Sequence, residues 1–92
     1  MNKTSNKKAH VFVESKKTFQ GNNTFGEYNY NIYAVYSYGY HFPIYAYING
    51  DWYENTDSYS VTTSRHKTQL RPHRIDYKVD TECLTRLIRE GK

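Results

Sequence analysis

The chain has 92 residues, a formal net charge of +4 and a mean hydropathy of −0.96. A chain of this length forms one domain with a thin core, because folding buries only roughly 60–65% of the surface of so small a chain. Its single cysteine excludes an internal disulfide, and no apolar run approaches the ~18 residues of a membrane span. The basic N-terminus lacks the apolar stretch of a signal peptide, so we expect a protein of a reduced, cytoplasmic compartment with no membrane partner.

The N-terminal part of the sequence predicts little regular structure before one long strand. Residues 1–9 are polar and lysine-rich, which predicts a flexible basic tail. The β-branched and aromatic residues of 10–14 predict a short strand, and the glycines and asparagines of 16–27 predict a long loop or a wide hairpin. Residues 28–40 alternate with period two, which predicts a strand with one aromatic face. That face consists of the even-numbered residues Tyr28, Tyr30, Ile32, Ala34, Tyr36, Tyr38 and Tyr40.

A hairpin is predicted within 41–55, because both positions of Asn49-Gly50 accept a positive φ. Pro43 indicates the start of a strand or an edge position. Residues 58–63 predict one more strand. In the first arm of the hairpin, alternation predicts one face made of Phe42, Ile44, Ala46 and Ile48, and an opposite face made of Pro43, Tyr45 and Tyr47.

The C-terminal part predicts two helices and a strand. Thr63 or Ser64 suits the N-cap of a short helix over 65–71, which ends before Pro72. Residues 74–79 alternate as a strand. A helix over 81–90 is bounded by Asp80 as N-cap and Gly91 as terminator, and its apolar stripe consists of Cys83, Leu84, Leu87 and Ile88.

Together these elements predict an α+β fold. We expect a small antiparallel sheet of four to five strands, with the short helix near 65–71 and the helix over 81–90, the latter packed on one face. In that helix we expect Leu87 and Ile88 to be buried against the sheet. Residues 10–92 would form a single domain behind the tail of 1–9.

The distribution of tyrosine and charge indicates a binding surface. Ten of the eleven tyrosines lie between Tyr28 and Tyr59, and all thirteen basic residues lie outside 18–64. Exposed rings on a sheet stack on single-stranded bases at about 1–3 kcal/mol per base, and basic side chains pair with phosphate. Aromatic patches mark protein interfaces as well, and core packing or a solvated basic face is the structural alternative. The candidate binding residues are Tyr36, Tyr38, Tyr40, His41, Arg65, His66, Lys67, Arg71 and Arg74, of which Lys67, Arg71 and Arg74 share a helical face.

Histidine chemistry is a second possibility. His41 and His66 have the side chains for metal-independent phosphodiester cleavage, one as base and one as acid, if the fold brings them together. Structural hydrogen bonding is the commoner role of such residues. A zinc site is not expected, because the sequence has no close His/Cys pairs and Cys83 belongs to an apolar stripe. We therefore predict no cofactor and no metal.

Two sequence blocks carry a resemblance. They are YSYGYHFPI at 36–44 and SYSVTTSRH at 58–66, and together they resemble a family of small phage and prophage proteins. Members of that family carry a YSYG-x-HFPI block, a short hairpin and a YS-x-TTS-x-H block ahead of a helix. The resemblance covers 36–71, about two fifths of the chain, and departs within the hairpin at Tyr45 and Tyr47. It implies a phage or mobile-element origin and the cytoplasm of a host cell, but it assigns no activity.

The polar residues of the two blocks are expected to meet in space, either as a hydrogen-bonded corner or as a site. They are Tyr38, His41, Ser60, Thr62, Thr63, Ser64 and His66. Gly39 and Pro43 beside them indicate a requirement for shape, which favours the corner.

The main functional hypothesis is a non-catalytic accessory protein of a phage or mobile element. It would bind a host protein or nucleoprotein complex that handles nucleic acid, for example as an inhibitor of a CRISPR effector. The alternatives are direct binding of single-stranded DNA or RNA and a small nuclease that uses His41 and His66. The sequence leaves the partner and the oligomeric state open.

Overall fold

The computed structural model describes residues 2–57 and 61–90, which form one mixed sheet between two helical layers. The strands are β1 (Asn2–Lys3), β2 (Phe19–Gln20), β3 (Thr24–Asn29), β4 (Ile32–Ser37), β5 (Pro43–Ile48), β6 (Asp51–Asn55) and β7 (Tyr77–Val79). The helices are α1 (Asn6–Glu14), α2 (Val61–Leu70) and α3 (Thr81–Glu90). The α+β fold class is thereby confirmed.

The seven strands are ordered in space as they are in the chain, from β1 to β7. The pairs from β2 to β6 are antiparallel, while β1 pairs with β2 and β7 pairs with β6 in parallel. The sheet therefore has more strands than the four to five predicted, because β1 and β2 are two-residue strands made by segments without a strand pattern.

Helix α1 corrects the prediction for the N-terminus. Residues 1–9 were expected to be a flexible tail and 10–14 a strand, but β1 and α1 cover most of this region. The Ser5 hydroxyl accepts the N–H of Lys8 at 3.4 Å, which marks the helix N-cap. Ala9 and Val13 lie one helical turn apart and are fully buried. Tertiary burial of this pair outweighs the strand preference of Val and Phe.

The single long strand predicted over 28–40 is wrong, because this segment contains the end of β3, a tight turn and the whole of β4. β3 and β4 pair from Thr24↔Ser37 to Asn29↔Ile32, and Tyr30 occupies the turn with φ +59°. The predicted aromatic face is therefore wrong: Tyr28 pairs with Tyr33, on the opposite side of the sheet from Ile32. Of the loop and the wide hairpin predicted over 16–27, the hairpin is confirmed, because β2 pairs antiparallel with the start of β3.

The hairpin predicted at Asn49-Gly50 is confirmed, with φ of +51° at Asn49 and +88° at Gly50. Pro43 starts β5, as expected. The pairing between β4 and β5 shifts register between Val35 and Tyr36, which is a β-bulge.

This bulge changes which side chains of β5 share a face. Phe42 and Ile44 belong to the core cluster beneath α1 and α2, whereas Ala46 and Ile48 belong to the cluster beneath α3. The prediction of one common face for these four residues is therefore wrong. Alternation was broken by the one extra residue that the bulge inserts.

Helix α3 was predicted with the correct bounds. The Asp80 carboxylate accepts the N–H of Cys83 at 2.8 Å, as an N-cap does. Leu84 and Ile88 are buried on the sheet in a cluster with Ala34 and Ala46, while Leu87 is only half-buried at the margin. The expectation of a buried Leu87 was therefore incorrect.

Helix α2 begins earlier than the predicted 65–71. Residues 61–63 are helical rather than part of a strand, and residues 58–60 of that predicted strand lie outside the described part of the chain. Leu70 is fully buried and Thr63 and His66 are buried, so α2 packs beside α1 on the face of the sheet opposite α3. The strand predicted over 74–79 is shorter and begins at Tyr77.

Candidate binding site

The two sequence blocks meet where β4 ends against α2. The Ser37 hydroxyl lies 2.8 Å from Nδ1 of His66 and 3.4 Å from the Thr63 hydroxyl, and all three residues are buried. The Tyr38 ring, in a residue with φ +69°, packs against the His66 ring at a centroid distance of 5.6 Å. This arrangement is a hydrogen-bonded corner that fixes α2 on the sheet.

His66 has a structural environment. Burial, with a smaller effect from the charge of Arg65, lowers the pKa of the His66 imidazole below its ordinary value of 6.5. The ring is therefore neutral near pH 7 and hydrogen-bonded to Ser37. His41 is exposed, whereas His66 is 3% exposed, so only His41 presents its ring to a substrate in solution. The nuclease hypothesis needs both rings and gains no support from this geometry.

A polar cleft lies beside this corner, along α2. We call it the α2 cleft; its volume is about 270 Å³ and it is lined by Tyr45, Glu54, Ser64, Lys67, Thr68 and Arg71. Ser64, Lys67 and Thr68 are spaced three and four residues apart, so they share one side of α2. Arg71, which follows the end of the helix at Leu70, lines the same cleft. Two basic side chains and two hydroxyls therefore converge on one opening.

The floor of the α2 cleft is rigid and hydrogen-bonded. The Tyr45 hydroxyl donates to the Lys67 carbonyl at 2.7 Å and lies 3.3 Å from Oε2 of Glu54. Glu54 is 6% exposed and forms an ion pair with the half-exposed Arg71. Burial, followed by the charge of Glu54, raises the pKa of the Tyr45 hydroxyl far above 10, so it remains a neutral donor.

The ion pair with Glu54 holds Arg71 in place but cancels much of its charge. Two basic residues line the cleft, and Lys67 is the one that forms no ion pair with a carboxylate among the described residues. Because α2 itself contains Arg65 and Lys67 and no acidic residue, its outer side is positive. Helix α3, on the other face, carries two acidic and two basic residues. The positive charge is thus biased toward the layer of α1 and α2.

Arg74 does not join this cleft. Residues after Pro72 leave the helix, and Arg74 instead binds the Asp76 carboxylate at 3.0 Å and the Gly50 carbonyl at 2.6 Å. The Arg74 charge thus secures the β5–β6 hairpin to the segment before β7. The prediction that Arg74 shares a face with Lys67 and Arg71 is wrong, because the helix ends at Leu70.

The predicted binding tyrosines separate into two environments. Tyr36 is buried on the α3 side, where its ring contacts Phe25 and Tyr40. Tyr40 is 64% exposed and Tyr38 is 44% exposed, and they lie in the β4–β5 connection. Burial, followed by the charges of Glu27 and Tyr40, raises the pKa of Tyr36 to about 12. Of the predicted binding tyrosines, Tyr38 and Tyr40 are therefore the exposed ones, with Tyr38 on the side of α2.

Four residues that line the α2 cleft are absent from the predicted binding residues: Tyr45, Glu54, Ser64 and Thr68. The sequence indicates Ser64 as a helix cap or as one of the polar residues of the second block. The spacing of Ser64, Lys67 and Thr68 was a usable signal for a shared helical side. Glu54 lay in a distant strand, and nothing in the sequence paired it with Arg71.

Within residues 2–57 and 61–90, no helix has the length and apolar character needed to cross a membrane. Comparison of the chain with protein-family models, with curated proteins and with solved structures found no match.

Proposed function

We propose that this protein is a non-catalytic binding protein that uses the α2 cleft to contact the phosphates of a nucleic acid held by a host complex. The observation that carries the proposal is the convergence of Lys67, Arg71 and the hydroxyls of Ser64 and Thr68 on one cleft of a helix without acidic residues. Lysine, arginine and hydroxyl side chains supply most protein contacts to phosphate oxygens. The rigid floor beneath them reduces the entropy lost on binding.

The setting of the proposal is a phage or mobile element acting in the cytoplasm of its host. The two blocks at 36–44 and 58–66 support it through their resemblance to small phage proteins, and the same blocks build the corner that positions α2. Occlusion of a nucleoprotein complex, such as a CRISPR effector, requires binding without chemistry. The buried His66 agrees with that requirement, since it serves the corner rather than a reaction.

Direct binding of single strands is the second candidate, and Tyr38 favours it. Its ring is half-exposed and packs against His66, which follows Arg65 in the middle of α2. An exposed ring beside a basic helix is an arrangement that stacks a base and holds its phosphate. In this case the free nucleic acid would bind without any host protein.

Two assays on two matched variants distinguish these two candidate functions. Lys67→Glu reverses a charge in the α2 cleft, and Arg86→Glu makes the same change on the exposed side of α3. We expect capture of a nucleoprotein complex from host lysate to fall about tenfold or more for Lys67→Glu and to stay within about twofold for Arg86→Glu. Nuclease treatment of the lysate should release the complex.

Fluorescence anisotropy with labelled single-stranded DNA and RNA tests direct binding. Micromolar affinity that falls steeply with salt and with Lys67→Glu would favour direct binding over the host complex. Equal effects of Lys67→Glu and Arg86→Glu in both assays would contradict the proposed role of the α2 cleft.

A further inference from the structure

A cluster of two histidines and a glutamate lies away from the α2 cleft, where α1 meets the segment between α2 and β7. His10 and Glu14 are one turn apart on α1, and His73 follows Pro72 at the end of α2. Nε2 of His10 lies 3.3 Å from Nε2 of His73, although the residues are 63 positions apart in the chain. A ring nitrogen of each histidine and a carboxylate oxygen of Glu14 all lie within 4.8 Å of one another.

The distance between the two ring nitrogens matches a tetrahedral metal site. Zinc–nitrogen bonds of about 2.0–2.1 Å at a tetrahedral angle separate the two nitrogens by about 3.3–3.4 Å. A right-angled geometry would separate them by about 2.9 Å with the same bond lengths. Without a metal, the same contact is a hydrogen bond in which one ring donates to the other. Both ring nitrogens can bind one ion when that proton is released.

Glu14 is already positioned for this role. Its Oε1 accepts the backbone N–H of His73 at 2.6 Å, and its Oε2 lies 3.7 Å from Nδ1 of His73. The first contact holds the segment that carries His73 against α1. A carboxylate oxygen of Glu14 lies within 4.8 Å of a ring nitrogen of each histidine, so it is available as a third ligand. Two histidines and one carboxylate are a common ligand set for zinc and related divalent metals.

We propose that His10, Glu14 and His73 form a binding site for a divalent transition metal, with Zn²⁺ as the best-matched ion. A bound ion would connect α1 to the segment between α2 and β7. The His73 side chain is 80% exposed, so the remaining coordination positions are open to water or to a ligand from a partner. This site does not depend on the proposed role of the α2 cleft.

The test is titration of the purified protein with ZnCl₂ in isothermal calorimetry, together with thermal unfolding with and without the metal. We expect one ion per chain and a rise in Tm, because a ligand that binds only the folded state stabilises it. His10→Ala and His73→Ala should abolish saturable binding and the rise in Tm. Glu14→Gln keeps the size of the side chain and should weaken affinity about 10–100-fold. His41→Ala, at an exposed histidine in the β4–β5 connection, is the matched control and should leave affinity unchanged.

Co²⁺ provides a second readout that does not depend on stability, since its visible absorption is intense in four-coordinate sites. Circular dichroism of each variant confirms that it is folded before titration. No saturable Zn²⁺ binding by the wild-type protein would overturn the proposal. Binding that persists in the double variant His10→Ala/His73→Ala, or that His41→Ala removes, would overturn it as well.

Discussion

Leu84→Ala is expected to lower the free energy of unfolding by about 3–4 kcal/mol. Leu84 is fully buried in the contact between α3 and the sheet, where Ala34 and Ala46 pair with each other across β4 and β5. Removing three carbons costs about 2.4 kcal/mol in transfer free energy, at ~0.8 kcal/mol for each. The cavity adds roughly another kcal/mol, because alanine side chains have no alternative rotamers with which to fill it.

Urea unfolding, followed by far-UV circular dichroism and by Trp52 fluorescence, measures this change. Trp52 belongs to the core cluster on the opposite face of the sheet, so coincident transitions show that both faces unfold together. Leu87→Ala is the matched control: Leu87 is on the same helix but half-buried, and its loss should cost about 1 kcal/mol. An equal or larger cost for Leu87→Ala would refute the packing of α3 described here, as would a cost below about 1 kcal/mol for Leu84→Ala.

Three further predictions concern the backbone and the buried titratable groups. Gly50→Ala should lower the free energy of unfolding by about 1 kcal/mol, as measured by urea unfolding. A Cβ at this position would meet no atom within 4 Å, so the cost comes from backbone strain at φ +88° alone. The lowered pKa of His66 means that protonation favours the unfolded state. The contribution of His66 to stability should therefore be constant above about pH 6.5 and fall as the pH drops below it, and His66→Gln should remove this part of the fall. The pKa values of Tyr33 and Tyr45 are raised mainly by burial, so alkaline absorbance titration should show both ionising only as the protein unfolds. A full titration of all tyrosines near pH 10 with the fold intact would contradict their burial.

Local signals predicted the parts of this fold that depend on neighbouring residues in the chain. The Asn49-Gly50 turn, the Asp80 cap and the bounds of α3 follow from φ preferences and capping, which need no distant partner. Helix α1 was missed because the β-branched residues of 10–14 favour a strand locally. The helix is favoured over the strand only by the burial of Ala9 and Val13 against other elements of the fold.

Periodicity misled the prediction wherever the chain turned or bulged without breaking the alternation. Tyrosine continues through the β3–β4 turn, so Tyr30 at φ +59° gave no sign of the turn in the sequence. The bulge before Tyr36 likewise moved Phe42 and Ile44 to the face opposite Ala46 and Ile48. Alternation indicates which residues share a face while a strand continues, but it does not indicate where the strand ends.

The sequence by itself determined where the aromatic and basic residues fall along the chain: tyrosines in the middle, basic residues at both ends, and a basic segment ahead of Pro72. Only the tertiary structure decided which of these residues act together. It buried His66 and Tyr36, joined Glu54 to Arg71, and placed His10 against His73. The physical reason is that these contacts join residues from 17 to 63 positions apart in the chain. Such pairs are set by how the helices dock on the sheet, and no local preference encodes them.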